Sequence, residues 1–308
     1  MIARRILDRL TRFGHRAIVA RIANIPLGDG RFLSLGNRSI IEPKIGLVVI
    51  GAAKAGTTSL HDWLDLHPDI HMSSPTKEPA YFWPSDLKRP FSPPVPEPSV
   101  NMRLNMLKGY RGEKLFGEAT PGYTITTVER DNPIPERAFA HNPAIRLIYS
   151  VRNPYARMIS AVNQDIHMRR APADMAEIPD DRLARYLSPS LYARHLSNWL
   201  EYFPREQVKV VLLEEFGKPP LAMMNEIADF VGLEPFPKAT EFAASNVTSE
   251  RTRKAAELKL SPEQFARVSP QVEKSVDWLS DYLGRDLRKV WDLSAERWAR
   301  DQDPPRSE

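Results

Sequence analysis

Short runs of branched apolar residues alternate along this chain with segments in which apolar residues recur every three or four positions. The first pattern is typical of strands buried on both faces of a sheet, and the second is typical of amphipathic helices. Their alternation predicts an α/β fold in which helices cover both faces of a central parallel sheet. The predicted strands are Leu47–Ile50, Ile70–Met72, Leu115–Pro121 (which ends in a turn), Ile145–Val151 and Gln207–Leu213.

The segments between the strands predict helices, loops and a tail. Stretches rich in proline, glycine or aspartate predict loops over residues 22–44, 84–99 and 171–189, and residues 292–308 are expected to form a frayed tail. Two predicted helices begin at Thr57 and Pro154, and the others cover Leu191–Phe203, Pro220–Val231 and Ser261–Trp291, the last with a break at Pro270.

The first strand runs into a loop of small residues, Gly51–Ser59, that contains one lysine. Because helical spacing resumes at Thr57, the amides of the loop and of the first helical turn are expected to point at one anion. Lys54 and the hydroxyls of Thr57, Thr58 and Ser59 add donors. The loop is not a Walker A loop, because its lysine precedes Gly56 instead of following it. The sequence predicts a phosphate site here; the alternative is an ordinary turn with a solvated lysine.

A second strand end delivers an arginine. Ile145–Val151 is followed by Arg152, Asn153 and Pro154, and proline is favoured at the first position of a helix. Ser160 lies about two turns into that helix. Arginine matches the geometry of a phosphate well, so the pattern predicts a second anion site. The alternative is an arginine paired with a local carboxylate.

Two further segments carry candidate chemistry. Lys77 and Glu78 stand just before three consecutive aromatic residues, Tyr81–Trp83, either as part of a site or as a surface pair beside an aromatic core. Near the carboxyl end, Arg251, Arg253 and Lys254 form a basic cluster that could close over a ligand or simply be solvated.

Composition limits the class of function. The 308 residues suffice for one large α/β domain or two small ones, and the absence of cysteine excludes disulfides, thiolate metal sites and cysteine nucleophiles. A net charge of +4 suits an anionic cofactor or acceptor but is too small to indicate nucleic acid as a partner. The oligomeric state is left open.

The amino-terminal residues 1–21 combine apolar residues at helical spacing with six arginines and one acidic residue. This pattern predicts a basic amphipathic helix that either contacts an anionic membrane surface or packs on the domain edge. It lacks the apolar core of a signal peptide, and no apolar run approaches the roughly 20 residues that span a bilayer. We therefore expect a cytoplasmic protein, with peripheral membrane contact as an open alternative.

In this order and spacing, the motifs resemble those of the sulfotransferase family, and within it the heparan sulfate-type branch in a bacterial-type member. The resemblance covers about Ile45–Leu293 and includes Glu118–Pro121 and Leu191–Pro204. It implies a P-loop-like, three-layer α/β/α fold with a central parallel sheet. The expected organisation is a lead-in over residues 1–44, a sulfotransferase domain over 45–293 and a tail over 294–308.

The resemblance also implies roles for individual residues. The cofactor would be 3′-phosphoadenosine 5′-phosphosulfate (PAPS), the product adenosine 3′,5′-bisphosphate, and no metal would be required. Glu78 would be the catalytic base and Lys54 would stabilise the leaving oxygen. The implied cofactor-binding residues are Lys54, Ala55, Gly56, Thr57, Thr58, Ser59, Arg152, Ser160, Tyr192, Arg251 and Arg253.

Two departures from the family pattern concern the acceptor. Heparan sulfate-type members often have histidine where this chain has Ala80 and lysine where it has Ala119. The acceptor is therefore expected only to bear a hydroxyl, as part of a sugar, a glycolipid or a small alcohol. His61 or His71 could replace Glu78 as the base. The competing functions are a nucleotide kinase, which the position of Lys54 disfavours, and a non-catalytic nucleotide-binding adaptor.

Overall fold

The computed structural model describes residues 24–26, 31–34, 39–41, 43–87, 98–124, 132–172, 177–216, 219–243 and 258–300. The predicted amino-terminal helix over residues 1–21 lies outside these residues. Among the helices that the structure does describe, none is long and apolar enough to cross a membrane.

A five-stranded, all-parallel sheet forms the centre of the molecule. Its strands stand in the order β5-β6-β4-β7-β8, so that β4 is the middle strand and β6 and β7 are its two neighbours. All five strands predicted from the sequence are present, and the predicted parallel arrangement is confirmed. The strands are β4 (Ile45–Gly51), β5 (Ile70–Met72), β6 (Leu115–Ala119), β7 (Arg146–Val151) and β8 (Val208–Leu212).

Alternate residues of β4 belong to two separate apolar clusters. Leu47 and Val49 pack with Trp63 in one cluster, whereas Val48 and Ile50 belong to the other. Successive side chains of a strand point to opposite faces, so both faces of the sheet are covered by packed side chains. This confirms the three-layer α/β/α architecture.

Nine α-helices lie in the described residues. The five predicted helices are present as α1, α4, α6, α7 and α8, while α2 and α3 were not foreseen. The helices are α1 (Thr57–Leu64), α2 (Val100–Met106), α3 (Pro133–His141), α4 (Pro154–His167), α5 (Asp180–Leu187), α6 (Tyr192–Leu200), α7 (Pro220–Phe230), α8 (Pro262–Leu283) and α9 (Ala295–Trp298).

Two segments predicted as loops contain regular structure. Within residues 22–44 the chain forms a three-stranded antiparallel sheet of β1 (Asn24–Pro26), β2 (Phe32–Ser34) and β3 (Ser39–Ile41). Strands of three residues are too short to show alternation in the sequence. Within residues 171–189 lies α5, whose buried residues Leu183, Tyr186 and Leu187 have helical spacing.

The carboxyl-terminal region also differs from expectation. Helix α8 continues through Pro270 and ends at Gly284, whose φ of 63° is left-handed. Val268, Val272 and Val276 are buried along one face of α8, and this packing holds the helix together despite the hydrogen bond that proline removes. The expected frayed tail is wrong up to Arg300, because the short helix α9 and a bridge between Leu260 and Ala299 fold the chain back onto the domain.

Candidate active site

The loop after β4 has a backbone suited to surround an anion. Lys54 adopts a left-handed φ of 71°, which costs a non-glycine residue roughly 1–2 kcal/mol. Gly56 has a φ of 82° and caps α1, and a Cβ atom on it would lie 2.5 Å from Leu213 Cδ1. Within the described residues no side chain caps α1, so its first-turn amides remain available as donors.

Strand β7 fixes this loop from one side. The amide of Ala52 donates to the carbonyl of Ser150 at 2.6 Å, and Ser150 Oγ donates to the carbonyl of Ala55 at 2.5 Å. Arg152 Nη1 then reaches the carbonyl of Lys54 at 3.5 Å. The phosphate loop and Arg152, which the sequence predicted as two separate anion sites, thus lie side by side at the carboxyl edge of the sheet.

The backbone around Arg152 is held by several hydrogen bonds. Asn153 Oδ1 accepts from the amides of Tyr155 and Ala156, which caps α4, and the amide of Asn153 donates to Glu214 Oε1 at 2.8 Å. The fully buried Tyr192 donates its hydroxyl to the carbonyl of Arg152 at 2.5 Å. Any contribution of Tyr192 to cofactor binding, which stays a prediction, therefore acts through Arg152.

Arg157 is an important cation that the sequence reasoning missed. It is 1% exposed, and its guanidinium donates to Ser190 Oγ, to the carbonyl of Ala53 at 3.4 Å and to the carbonyl of Tyr186. Burial lowers its pKa to about 10. An arginine among buried apolar residues of α4, one turn before Ser160, was the available signal for a functional position.

Positive charge is concentrated at the loop. Burial lowers the pKa of Lys54, and the charges of Arg152, Arg157 and Lys77 lower it further, while Glu78 acts in the opposite direction. Burial likewise lowers the pKa of Arg152. A lysine whose charged form is disfavoured by neighbouring cations indicates a site that gains stability when an anion binds.

Lys77 connects the loop to Glu78. Its ammonium donates to Thr57 Oγ1 at 3.3 Å and lies 3.2 Å from Glu78 Oε1. The Glu78 carboxylate is exposed at the surface beside the amino end of α1. The structure therefore brings Lys54, Thr57, Lys77 and Glu78 to one place, and Lys77, predicted only as one member of a charged pair with Glu78, also contacts the loop.

A buried acid lies behind Glu78. Glu118 in β6 is fully buried, and burial raises the pKa of its carboxyl to about 7. Its oxygens accept hydrogen bonds from Thr120 Oγ1 at 2.6 Å and from the Tyr123 hydroxyl at 2.5 Å. The negative charge of Glu78 raises the same pKa, so the two carboxyl groups interact electrostatically.

The remaining predicted residues fall into three groups. Thr57 and Ser59 are buried, and Thr58 and Ser160 are half-buried. Arg251 and Arg253 lie outside the described residues. The alternative bases are engaged elsewhere, because His61 Nε2 contacts the carbonyl of Ser73 at 3.2 Å and His71 Nε2 contacts that of Met106 at 3.0 Å.

A parallel sheet that brings a cationic loop and a helix without a side-chain cap to its carboxyl edge is an arrangement typical of proteins that bind phosphate-bearing ligands. This chain belongs to the sulfotransferase family, because the model of the sulfotransferase domain matches residues 124–296. The matched region contains Arg152, Arg157 and Ser160 and begins after the phosphate loop.

Curated relatives and solved structures are consistent with this assignment. Mouse heparan sulfate glucosamine 3-O-sulfotransferase 6 is 26% identical over 231 residues, which cover 71% of this chain and 59% of the relative. The human enzyme of the same name is 28% identical over 194 residues, covering 61% and 52%. This chain thus spans only about half to three fifths of these relatives. A sulfotransferase structure from Alicyclobacillus acidocaldarius, 24% identical, covers 80% of this chain and 98% of its own with a TM-score of 0.60, a similarity of fold.

Proposed function

We propose that this protein transfers the sulfuryl group of PAPS to a hydroxyl group of a carbohydrate acceptor. The observation that carries the proposal is the cation group Lys54, Lys77, Arg152 and Arg157 around one loop, with Lys77 joining that loop to Glu78. Membership of the sulfotransferase family and relatives named as heparan sulfate glucosamine sulfotransferases support the substrate classes.

The residues present fit a nucleotide phosphorylated at both ends. The loop amides, Ala55–Ser59 and Lys54 would hold the 5′-phosphosulfate at the amino end of α1. Arg152 and Ser160, with Arg251 and Arg253, would hold the 3′-phosphate. When bound, PAPS supplies an activated sulfuryl group with a phosphate as leaving group. The lowered pKa of Lys54 supports this fit, because an anion at the loop relieves the repulsion among the cations.

Each part of the proposed reaction is assigned to a residue of this chain. Glu78 would take the proton of the acceptor hydroxyl when the sulfuryl group is transferred to that oxygen. Lys54 would stabilise the negative charge on the phosphate that leaves. Lys77, which contacts both Thr57 and Glu78, keeps the base next to the loop until an acceptor hydroxyl reaches it. No step requires a metal, and transfer is therefore expected to persist in a chelator.

The acceptor is proposed at the level of a carbohydrate hydroxyl. Ala80 and Ala119 are both fully buried here, so neither offers a polar or charged group at the positions where heparan sulfate-type members often have histidine and lysine. A free sugar and a glycolipid both fit this proposal, and a small alcohol is the alternative. A panel of such acceptors, screened by mass spectrometry for sulfated products, separates them.

Ligand binding distinguishes this proposal from the nucleotide kinase. Adenosine 3′,5′-bisphosphate is expected to raise the melting temperature far more than 5′-AMP, and more than ATP with Mg²⁺. Equal shifts with the bisphosphate and 5′-AMP would contradict the 3′-phosphate site. A larger shift with ATP and Mg²⁺ would favour the kinase. Binding of the bisphosphate without transfer to any acceptor would favour the adaptor.

The predicted amphipathic helix over residues 1–21 supports a second, peripheral role. Its six arginines would attract an anionic membrane surface. Deletion of residues 2–21 is expected to abolish sedimentation with vesicles of anionic phospholipid at low salt while leaving bisphosphate binding unchanged. Failure of the full chain to sediment with such vesicles would leave packing on the domain edge as the role of this segment.

A further inference from the structure

A buried hydrogen-bond network connects Glu118 to the segment that carries Glu78. Thr120 and Tyr123 both donate their hydroxyl hydrogens to the carboxyl group of Glu118. The same two hydroxyl oxygens accept backbone amides, Thr120 Oγ1 from Ala80 at 3.1 Å and the Tyr123 oxygen from Phe82 at 3.0 Å. Glu118 therefore reaches the Glu78 segment through two parallel bridges.

The carboxylate sets the direction of these bonds. Above its raised pKa of about 7 the Glu118 carboxylate is ionised and only accepts, so both hydroxyl hydrogens point to it and the oxygen lone pairs are left to accept the two amides. The amides of Ala80 and Phe82 are accepted by two different hydroxyls, so this irregular segment is held at two points.

The segment needs such support because its own backbone is strained and irregular. Ala80 has a left-handed φ of 55°, which is costly for alanine. Pro79 has no amide to donate, and Glu78 is exposed, with Lys77 as its ion-pair partner. Since exposed ion pairs fix geometry weakly, the buried bonds at Ala80 and Phe82 are the stronger constraint on where the Glu78 carboxylate lies.

We propose that Glu118 is a positioning residue that holds Glu78 in register with the phosphate loop by fixing the hydroxyls of Thr120 and Tyr123. It touches neither acceptor nor nucleotide. The proposal rests on the assignment of Glu78 as the base. It adds that Glu118, a residue of β6, determines the position of the Glu78 carboxylate.

The test replaces Glu118 by glutamine. At pH 8, where Glu118 is ionised, the substitution replaces one acceptor oxygen by an NH₂ donor, so one hydroxyl can no longer donate to residue 118 and its bridge to the segment is weakened. Amide hydrogen exchange in the peptide containing residues 78–83 is expected to rise at least tenfold, and kcat with heparan sulfate as acceptor is expected to fall about 10–100-fold. The melting-temperature shift with adenosine 3′,5′-bisphosphate should be unchanged, because the nucleotide contacts lie on the other side of β4. Tyr123→Phe, which removes one bridge and keeps the ring, is expected to give a smaller effect in the same direction.

Asp165→Asn is the matched control. Asp165 is another buried acid that accepts a tyrosine hydroxyl, from Tyr186 at 2.8 Å, but it lies at the far end of α4 and pairs with Arg185. This variant is expected to lower the melting temperature without changing exchange in residues 78–83. If Glu118→Gln matched this control, with lower stability but unchanged exchange of that peptide, the proposal would be overturned.

Failure of the proposed function gives a different result. If the wild-type protein bound the bisphosphate but transferred nothing to heparan sulfate, the choice of acceptor would be wrong, and the exchange of residues 78–83 would still decide the role of Glu118. Faster exchange in Glu118→Gln combined with unchanged kcat in an active enzyme would also overturn the proposal. Glu118 would then restrain the segment, but this restraint would not affect catalysis by Glu78.

Discussion

The two sides of the middle strand β4 are built in different ways. On the side of β7 and β8, hereafter the nucleotide side, loop carbonyls are contacted by the guanidinium groups of Arg152 and Arg157. On the side of β6 and β5, hereafter the acceptor side, the Glu78 segment is held by two hydroxyls and the buried acid Glu118. One side therefore concentrates buried positive charge, and the other a buried carboxyl.

The two sides are expected to respond differently when ligands bind. The nucleotide side holds cations that repel one another, so it is stabilised by the arrival of an anion. The acceptor side has its buried polar groups satisfied within the protein, so its geometry is expected to change little on binding. Binding affinity and catalytic rate should consequently respond to different substitutions.

The largest expected effect is on the acceptor side. Glu78→Gln keeps the shape of the side chain and removes the base, so kcat should fall about 10²–10⁴-fold with little change in the affinity for adenosine 3′,5′-bisphosphate. Steady-state rates combined with calorimetric titration check this. Retention of most of the activity would mean that the base lies elsewhere, despite the backbone contacts that engage His61 and His71.

Arg152→Ala should weaken nucleotide binding more than it lowers kcat, the reverse of Glu78→Gln. Loss of a charge-assisted contact to the 3′-phosphate is expected to weaken bisphosphate binding by about 2–3 kcal/mol, or roughly 30–150-fold, with a smaller effect on kcat. Titration with the bisphosphate and with 5′-AMP provides the measurement. The preference for the bisphosphate over 5′-AMP should fall by about the same factor, and an undiminished preference would place the 3′-phosphate away from Arg152.

Lys54→Met should raise the stability of the protein without ligand and lower its affinity for the bisphosphate. Since the native pKa of Lys54 is lowered, its charged form costs the folded protein stability at neutral pH, and this penalty fades as pH rises toward the ordinary value of 10.5. The variant without ligand is therefore expected to melt at a higher temperature than the wild type at pH 7, while its shift with bisphosphate shrinks. A lower melting temperature at pH 7 would show that Lys54 contributes more through packing than it costs through charge.

The carboxyl of Glu118 gives the acceptor side a pH dependence of the opposite sense. Burial raises its pKa from 4.5 to about 7, opposed by the bonds from Thr120 and Tyr123 and by Lys77, and reinforced by Glu78. Between these pH values the folded protein binds a proton that the unfolded chain has released, so stability falls as pH rises. Melting curves at pH 5 and pH 8 should show this loss in the wild type and less of it in Glu118→Gln. Equal losses in both proteins would mean that another group causes it.

The smallest effect is expected far from both sides. Ser261 forms a capping box with Gln264 at the start of α8, and Ser261→Ala should cost about 1 kcal/mol of unfolding free energy. Bisphosphate affinity and kcat should be unaffected. A change in either quantity would mean that α8 is coupled to the site and that the contrast between the two sides is incomplete.

The sequence predicted well those features that depend on local pattern. Strand ends followed by small residues, or by arginine and proline, located both the phosphate loop and Arg152. Arg157 and Glu118 were not predicted as parts of the site, because a charged residue inside an apolar pattern reveals its role only through partners distant in sequence. Arg157 and Ser190 are 33 positions apart in the sequence, and Ala80 and Thr120 are 40 apart, so only the tertiary fold brings each pair together.

The contacts of the segment after α8 determine where this domain can be truncated. The carbonyl of Asp292 accepts from Asn153 Nδ2 at 2.9 Å and from Trp298 Nε1 at 2.6 Å, and the Trp298 ring stacks on Tyr155. A truncation at residue 291 would therefore remove an anchor of the Asn153 cap, next to Arg152. An expression boundary chosen from the predicted frayed tail would damage nucleotide binding, whereas one placed after Arg300 retains every one of these contacts.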